Sequence, residues 1–299
     1  MSQVILSSPY SEKLHWFKGN LHTHTTNSDG ARTVEAVLSD YEEREYDFLS
    51  ISDHDVLVDP TPYENGTTLT LIPGVEVTAN GPHLLHVNSS TRVPPHQERQ
   101  QVLDEIAEQQ ESFAILNHPN WLAPLPGLHF THTHMRSLKG YAGIEIYNGV
   151  IERLPGTALA TDQWDQLLSN DLRLWGYGHD DSHEAGDVAL AWNMVQASEP
   201  SVSELISALR GGRFYVSTGV FIQRITVSGR TVRIITSNAT RIRFISRWGI
   251  IRDTFDGQAA EYTVPDDPDE AKAIAYIRVE CYGDGCAMAW SQPVWIEAD

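Results

Sequence analysis

The run HTHTTNSDG at residues 22–30, answered by SDHD at 52–55, constrains this chain more than any other feature. His22 and His24 alternate along what reads as a strand end, and the two-residue period of a strand aims both imidazoles to one side. Asp29 follows in the next turn, and Asp53, His54 and Asp55 close a second strand. Imidazoles and carboxylates delivered at the ends of successive strand–helix units are how an α/β barrel builds a divalent-metal site. The chain therefore reads as a metal-dependent hydrolase.

The rest of the first two thirds repeats this unit. In TVEAVLSDYEEREY (33–46), Val34, Val37, Leu38 and Tyr41 fall at helical spacing behind a Thr33 N-cap. TLIPGVEVT (70–78) is a strand carrying Glu76, and residues 97–112 form a polar helix with Val102, Leu103 and Ile106 inward. FAILNHP (113–119) is a strand ending in His118, and GYAGIEIYN (140–148) one ending at Asn148. Residues 158–169 are helical, and LRLWGYGHDDSH (172–183) is a strand running into a further His/Asp cluster. Alternating strands and helices predict a mainly parallel sheet closed into a barrel, with the polar clusters at its strand C-termini. SVSELISALRGG (201–212) is the last helix, with Ser201 and Glu204 as a capping box. Beyond about residue 216 the apolar and polar residues alternate between turns. That predicts an α/β barrel over 1–216 and a small all-β, sandwich-like module over 217–299, which would cover the barrel or pair two copies.

The chain has 299 residues and a formal charge of −19. So acidic a protein lacks the electrostatic footprint of a nucleic-acid binder, which favours a small-molecule substrate. No apolar run is long enough for a membrane span. The N-terminal residues lack the basic and apolar regions of a signal peptide, so a cytoplasmic location is expected. Cys281 and Cys286 read as free thiols, and the oligomeric state is left open.

The strand-end residues His22, His24, Asp29, Asp53, His54, Glu76, His83, His118, Asp181 and His183 are all hard or borderline donors, suited to zinc, manganese or iron. One metal takes about four to six ligands, so this many candidates predict two or three divalent ions. His83 and His86, three apart on a strand, point to opposite faces and compete for one position. Asp181 and His183 share a face. Asp180 points away and reads, like Asp53, as a carboxylate that braces the ligands. The THTH run at 131–134 reads as a loop over the site. Trp121, Leu122, Leu125 and Leu128 would give that loop an apolar wall, with His129, His132 and His134 within reach of substrate. Arg32, Asn120, Asn148 and Arg153 are the candidates for holding an anionic group, with Trp121 beside them.

Taken together, HTHTTNSDG, SDHD, GVEVT…GPHLL, NHP and DDSH resemble the motifs of the PHP (polymerase and histidinol phosphatase) superfamily of metallohydrolases, over roughly residues 20–183. The resemblance implies a distorted seven-stranded β/α barrel with a di- or trinuclear site. One metal would take His22, His24, Glu76 and Asp181. A second would share Glu76 and add His83, preferred to His86, and His118. A third would take Asp29, His54 and His183. The implied reaction is phosphoester hydrolysis by a metal-bridging hydroxide, with Glu76 bridging, Asp181 orienting the hydroxide and His179 a candidate acid for the leaving group. GGRFYVSTG and AYIRVECYGDGCAMAWSQPVWI look like the tail of the CehA/McbA-type branch, which implies carbamate, ester or amide hydrolysis at the same site as the alternative.

Overall fold

The structure is a computed structural model that describes residues 4–122 and 128–298. Its elements in chain order are β1 (Val4–Ser7), β2 (His15–Asn20), α1 (Val34–Glu42), β3 (Phe48–Ile51), β4 (Thr70–Val77), β5 (Leu84–Val87), α2 (Arg99–Ala107), β6 (Phe113–Leu116), α3 (His132–Ser137), β7 (Gly143–Asn148), α4 (Thr161–Ser169) and β8 (Trp175–His179). There follow β9 (Trp192–Ala197), α5 (Val202–Arg210), β10 (Phe214–Ser217), β11 (Ile222–Ser228), β12 (Thr231–Thr236), β13 (Arg241–Ser246), β14 (Ile250–Asp256), β15 (Ala259–Thr263), α6 (Pro268–Ile274), β16 (Tyr276–Tyr282), β17 (Met288–Ser291) and β18 (Val294–Ala298).

Strands β2 to β8 lie side by side in sequence order. β2, β3 and β4 pair in parallel, β5 runs antiparallel to both β4 and β6, and β6, β7 and β8 are parallel again. The parallel α/β arrangement expected from the sequence is thus present, interrupted by one hairpin. The β4–β5 link, TANGPH at 78–83, is too short and too rich in Gly and Pro for a crossover helix, so the chain turns straight back. Helix α1 forms as its spacing dictates: Thr33 Oγ1 accepts from Ala36 N, and Val34, Val37, Leu38 and Tyr41 are buried. Two local readings are corrected. Residues 132–137 form the short helix α3 rather than a loop, because Thr131 caps it by accepting from His134 N. Helix α5 has no capping box: Ser201 makes no cap bond, and Glu204 accepts instead from Ser198 Oγ at 3.1 Å.

The free edge of β8 is met by side chains rather than by a strand. Gln292 brackets the Gly176 peptide, accepting its N–H at 2.9 Å and donating to its carbonyl at 2.7 Å. Asn193 does the same for Gly178, at 3.2 and 2.9 Å. Each amide satisfies one donor and one acceptor that an edge strand would leave bare. Gly178 has to be glycine, since a Cβ there would lie 2.2 Å from Val216 Cγ1 on β10. Just beyond β8 the ring closes in backbone. Asp181 N donates to His22 O at 3.1 Å and His24 N to Ser182 O at 2.9 Å, so the segments after β2 and β8 pair in parallel.

β10 pairs with β9 on one side and β17 on the other. The barrel sheet therefore continues without a break through β17, β16 and β18 to β1, with β13 and β14 attached to β16. The boundary expected at 216/217 falls inside β10, a strand that serves both halves. β11, β12 and β15 form a separate three-stranded sheet. A second buried cluster joins it to its neighbour through Ile225, Val232, Ile234, Ile242, Phe244 and Val279. Buried Arg278 of β16 fixes this half to α4 by pairing with Asp165 at 2.8 and 2.6 Å, and it also bonds Glu280. No helix among the described residues is long and apolar enough to cross a membrane.

Candidate metal centre

The site is built around Glu76, a carboxylate buried in β4 between Val75 and Val77. Its Oε1 lies 3.3 Å from His22 Nε2, 3.2 Å from His83 Nδ1 and 3.2 Å from His118 Nε2. Its Oε2 lies 2.8 Å from His54 Nδ1 and 3.5 Å from His24 Nε2. Asp181 Oδ1 approaches His22 Nε2 at 3.2 Å and His24 Nε2 at 3.1 Å. Half-exposed Asp29 places Oδ1 3.4 Å from both His54 Nε2 and His183 Nε2. All nine residues expected as ligands thus converge at one end of the barrel. His83 is with them, whereas His86 is buried elsewhere with neither ring nitrogen hydrogen-bonded.

The donor set fits divalent metal on its own chemistry. His22 Nε2, His24 Nε2, His54 Nδ1, Glu76 Oε2 and Asp181 Oδ1 are buried and lack hydrogen-bond partners despite their closeness. Orphaned buried polar atoms are costly, and so many in one place point to a missing shared partner. Charge gives the same answer. Burial opposes protonation of His22, yet Asp181, Glu76 and Glu145 hold its imidazole well above the usual range. Burial likewise opposes a charged His54, but Asp29 and Glu76 push it up to about 10. The carboxylates thus draw positive charge onto these two imidazoles, although burial lowers the pKa of His24 and His83, and a metal would supply that charge instead. Donor atoms of His24, Asp29, His54 and His183 lie within 4.8 Å of one another, and so do those of His22, His24 and Asp181 and of His22, Glu76 and His118.

A surrounding layer holds these groups in place. Asp53 accepts from Thr25 N at 2.7 Å, Thr25 Oγ1 at 2.6 Å and Ser28 Oγ at 2.6 Å, which fixes the loop carrying His24 and Asp29. Asp180 accepts from Tyr41 Oη and from the amides of Ala189, Leu190 and Ala191. Both carboxylates are thus taken up by hydroxyl and backbone donors of the surrounding loops. Arg99, which the sequence reading passed over, is buried and donates to the carbonyls of Thr78, Ala79, Pro82 and His96, shaping the turn before His83. His118 and Asp181 have φ of +28° and +54°. Such backbone is uphill for both residues and is held by the surrounding bonds.

A cavity of about 340 Å³ opens over the cluster, with Glu76, His118 and Asp181 at its floor and Trp121, Val150, Ile151, Arg153 and Leu154 in its wall. Trp121 and Arg153 therefore stand where substrate contact was expected. Arg153 is held by a bidentate pair with Asp187 at 2.9 and 2.9 Å, and Asp187 in turn accepts from His183 N. The other expected contacts lie elsewhere. Arg32 pairs with Asp40 on α1 and is outside the cavity lining. Asn120 is used by Leu159 O at 2.8 Å and Asp162. Asn148 is fully buried and donates to Glu145 and Asp181 from beneath. His179, the expected leaving-group acid, is also fully buried beneath His22, bonded to Glu145 and out of the lining. Burial also lowers its pKa, which disfavours the protonated form a leaving-group acid needs. Leu125 lies outside the described residues, and Leu122 is exposed and outside the lining. His129 is buried against His83 and His118 and accepts from His83 N at 2.7 Å.

Glu145 is the largest omission of the sequence reading. It contacts His22, His118, Asn148 and His179. A signal was present: IEI at 144–146 repeats the pattern of VEV at 75–77, a lone glutamate between aliphatic residues of a buried strand.

A barrel with imidazoles and carboxylates gathered at its strand C-termini defines the class of metal-binding α/β barrel proteins. The fold is shared with a two-domain protein from Bacteroides vulgatus containing a predicted PHP-like metal-dependent phosphoesterase, at 17% identity over 98% of each chain and a TM-score of 0.56. That likeness extends over both halves of the chain and is one of fold. A 74-residue stretch is 39% identical to the 5'-3' exoribonuclease Rnm of Escherichia coli K12, covering 23% of this chain and 25% of that enzyme. The chain therefore spans about a quarter of the length of the curated relative it matches. A lesion-specific endonuclease from Pyrococcus furiosus, PfuEndoQ, aligns at 13% identity over 66% of this chain and 56% of its own, with a TM-score of 0.43. No protein-family model matches.

Proposed function

We propose that this protein is a metal-dependent phosphoesterase of PHP type that acts on a small phosphoester. The observation that carries the reading is the set of orphaned buried donor atoms on His22, His24, His54, Glu76 and Asp181, of which the last three residues line an open cavity. We assign His22, His24, Glu76 and Asp181 to one divalent ion, Glu76, His83 and His118 to a second, and Asp29, His54 and His183 to a third, as zinc, manganese or iron. When bound, such ions would acidify a water and offset charge on the phosphoryl oxygens. The rest falls to the protein. Glu76 presents one oxygen to each side of the cluster and holds the positions together. Asp181, with Oδ2 tied to Asn148, keeps Oδ1 aimed at the floor, where it can orient a nucleophilic water. Arg153 gives the wall a fixed cation for a substrate oxygen. Trp121, Val150, Ile151 and Leu154 exclude water and take the apolar part of the substrate. We read the architecture as a distorted seven-stranded barrel over roughly 1–216 and a sandwich-like module over roughly 217–299 that share strand β10.

The carbamate or ester reading draws on the same apolar wall, and one screen separates the two. Purified, metal-analysed protein is offered p-nitrophenyl phosphate mono- and diesters, aryl carbamates, p-nitrophenyl acetate and a 5′-phosphorylated oligonucleotide. A His22→Ala, His24→Ala variant serves as control. Phosphoester turnover lost in the control is the expected result. Turnover of carbamate or carboxyl ester alone overturns the proposal. Preference for the oligonucleotide would replace the small substrate with the kind that Rnm is named for.

A further inference from the structure

Glu145 lies on β7, fully buried, directly under the proposed ligands. Its Oε1 is 2.7 Å from His22 Nδ1 and 2.7 Å from His179 Nδ1. Its Oε2 accepts from His118 N at 2.6 Å and from Asn148 Nδ2 at 2.8 Å. The same Asn148 nitrogen reaches Asp181 Oδ2 at 3.2 Å. Four groups thus converge on one carboxylate, two of them N–H donors by necessity: a backbone amide and a carboxamide.

A carboxylate has about four acceptor sites and, when ionised, no proton to give. With every site of Glu145 faced by a nitrogen, both imidazoles must present N–H to it. His22 is thereby fixed with a proton on Nδ1, so that Nε2 is the nitrogen left to present a lone pair to a cation. That is the nitrogen without a hydrogen-bond partner, 3.3 Å from Glu76 Oε1 and 3.2 Å from Asp181 Oδ1. A ligating histidine works in this form, with its second nitrogen held by a carboxylate.

We propose that Glu145 is a positioning residue that sets the tautomer of His22 and ties His22, His118 and Asp181 into one frame, so that a divalent cation meets donors already aimed. This rests on the metal-binding reading of the site, but part of its test does not.

The test has two readouts. In ¹⁵N-histidine NMR of chelator-treated wild-type protein, with His22 assigned by a His22→Gln variant, His22 Nδ1 should carry a proton, whether or not Nε2 carries a second one. A His22 protonated on Nε2 alone overturns the proposal, with no metal, substrate or Glu145 variant involved. In Glu145→Gln, the amide offers one acceptor where there were two and adds a donor against groups that already donate. Zinc affinity, measured by chelator competition, should fall about 10- to 100-fold, and the His22 tautomer should become mixed. Glu145→Asp, which keeps the charge, should recover part of the affinity. Glu145→Gln with unchanged zinc affinity and an unchanged tautomer overturns the proposal. If wild-type protein binds no zinc or manganese but His22 is Nδ1–H, the function proposed above fails and the role of Glu145 in the frame stands.

Discussion

His86 gives the sharpest quantitative prediction, because its sequence neighbour His83 is in the cluster and it is not. On β5 it pairs across to Val75 and Ala114, fully buried, with both ring nitrogens unsatisfied. Burial lowers its pKa from 6.5 to about 4. The folded protein therefore holds it neutral, while the unfolded chain takes up a proton below about pH 6.5. The sign follows: the stability it permits is complete above pH 6.5 and is lost as pH falls toward 4. At 1.36 kcal/mol per pK unit the full loss is about 3 kcal/mol, of which about 2 kcal/mol has accrued by pH 5. His86→Leu removes the titration and a buried polar ring. Urea unfolding of both proteins from pH 8 to pH 5, after chelator treatment, should show the variant gaining about 2 kcal/mol on the wild type over that range. Parallel stability curves would refute the argument. Metal content should be unchanged in His86→Leu and reduced in His83→Ala; the reverse would mean that β5 is out of register.

Four further outcomes follow from the geometry. Arg278→Met strands Asp165 in the interface between α4 and β16 and should cost about 3–5 kcal/mol in urea unfolding, most of it recovered by adding Asp165→Leu. Asp53→Asn leaves the Thr25 amide facing a weaker acceptor, and elemental analysis should show the site that includes Asp29 losing metal first; full occupancy would count against the bracing role. Arg153→Ala should raise KM for an anionic phosphomonoester about tenfold, the worth of one charged hydrogen bond, and leave a neutral ester unaffected. Removing metal with a chelator should lower the melting temperature, by up to about 4 kcal/mol of stability where the ion is present at a thousand times its Kd; an unchanged melting temperature would mean that no such ion binds the folded state.

How much of this was legible in the sequence depended on whether the signal was local. His22, His24 and Asp29 announce themselves because a strand end and the following turn place them within a few residues of one another, and His54 does so between two aspartates at the end of the next strand. Asp181 and His183 do so for the same reason. Thr33 was visible as a cap, since its partner Ala36 is three residues away. What escaped was set by distant partners. Arg99 looks like an ordinary charge at a helix start, and only the folded turn brings four carbonyls around it. Asn148 and His179 sit at strand ends like the ligands, so period alone could not say that they lie beneath the cluster rather than in the cavity wall. The continuity of β9, β10 and β17 was invisible for a like reason, because β17 is some seventy residues from β10 and no pattern in either names the other.

The site and the closure of the barrel are one construction. Strands β2 to β8, in order, leave β2 and β8 to meet, and Gly178 of β8 lets it approach Val216 of β10 while two side-chain amides cover its edge. True backbone pairing resumes only past the strand ends, between the segments that carry His22 and His24 and those that carry Asp181 and His183. Glu145, one strand away on β7, bonds His22 on one side of that seam and His179 on the other, and through Asn148 it reaches Asp181. A ligand that bridges His22, His24 and Asp181 would therefore also bridge the two ends of the sheet. A seam held by side-chain amides along most of its length has fewer backbone bonds than a strand pair, so a metal held across it would add to stability as well as to chemistry.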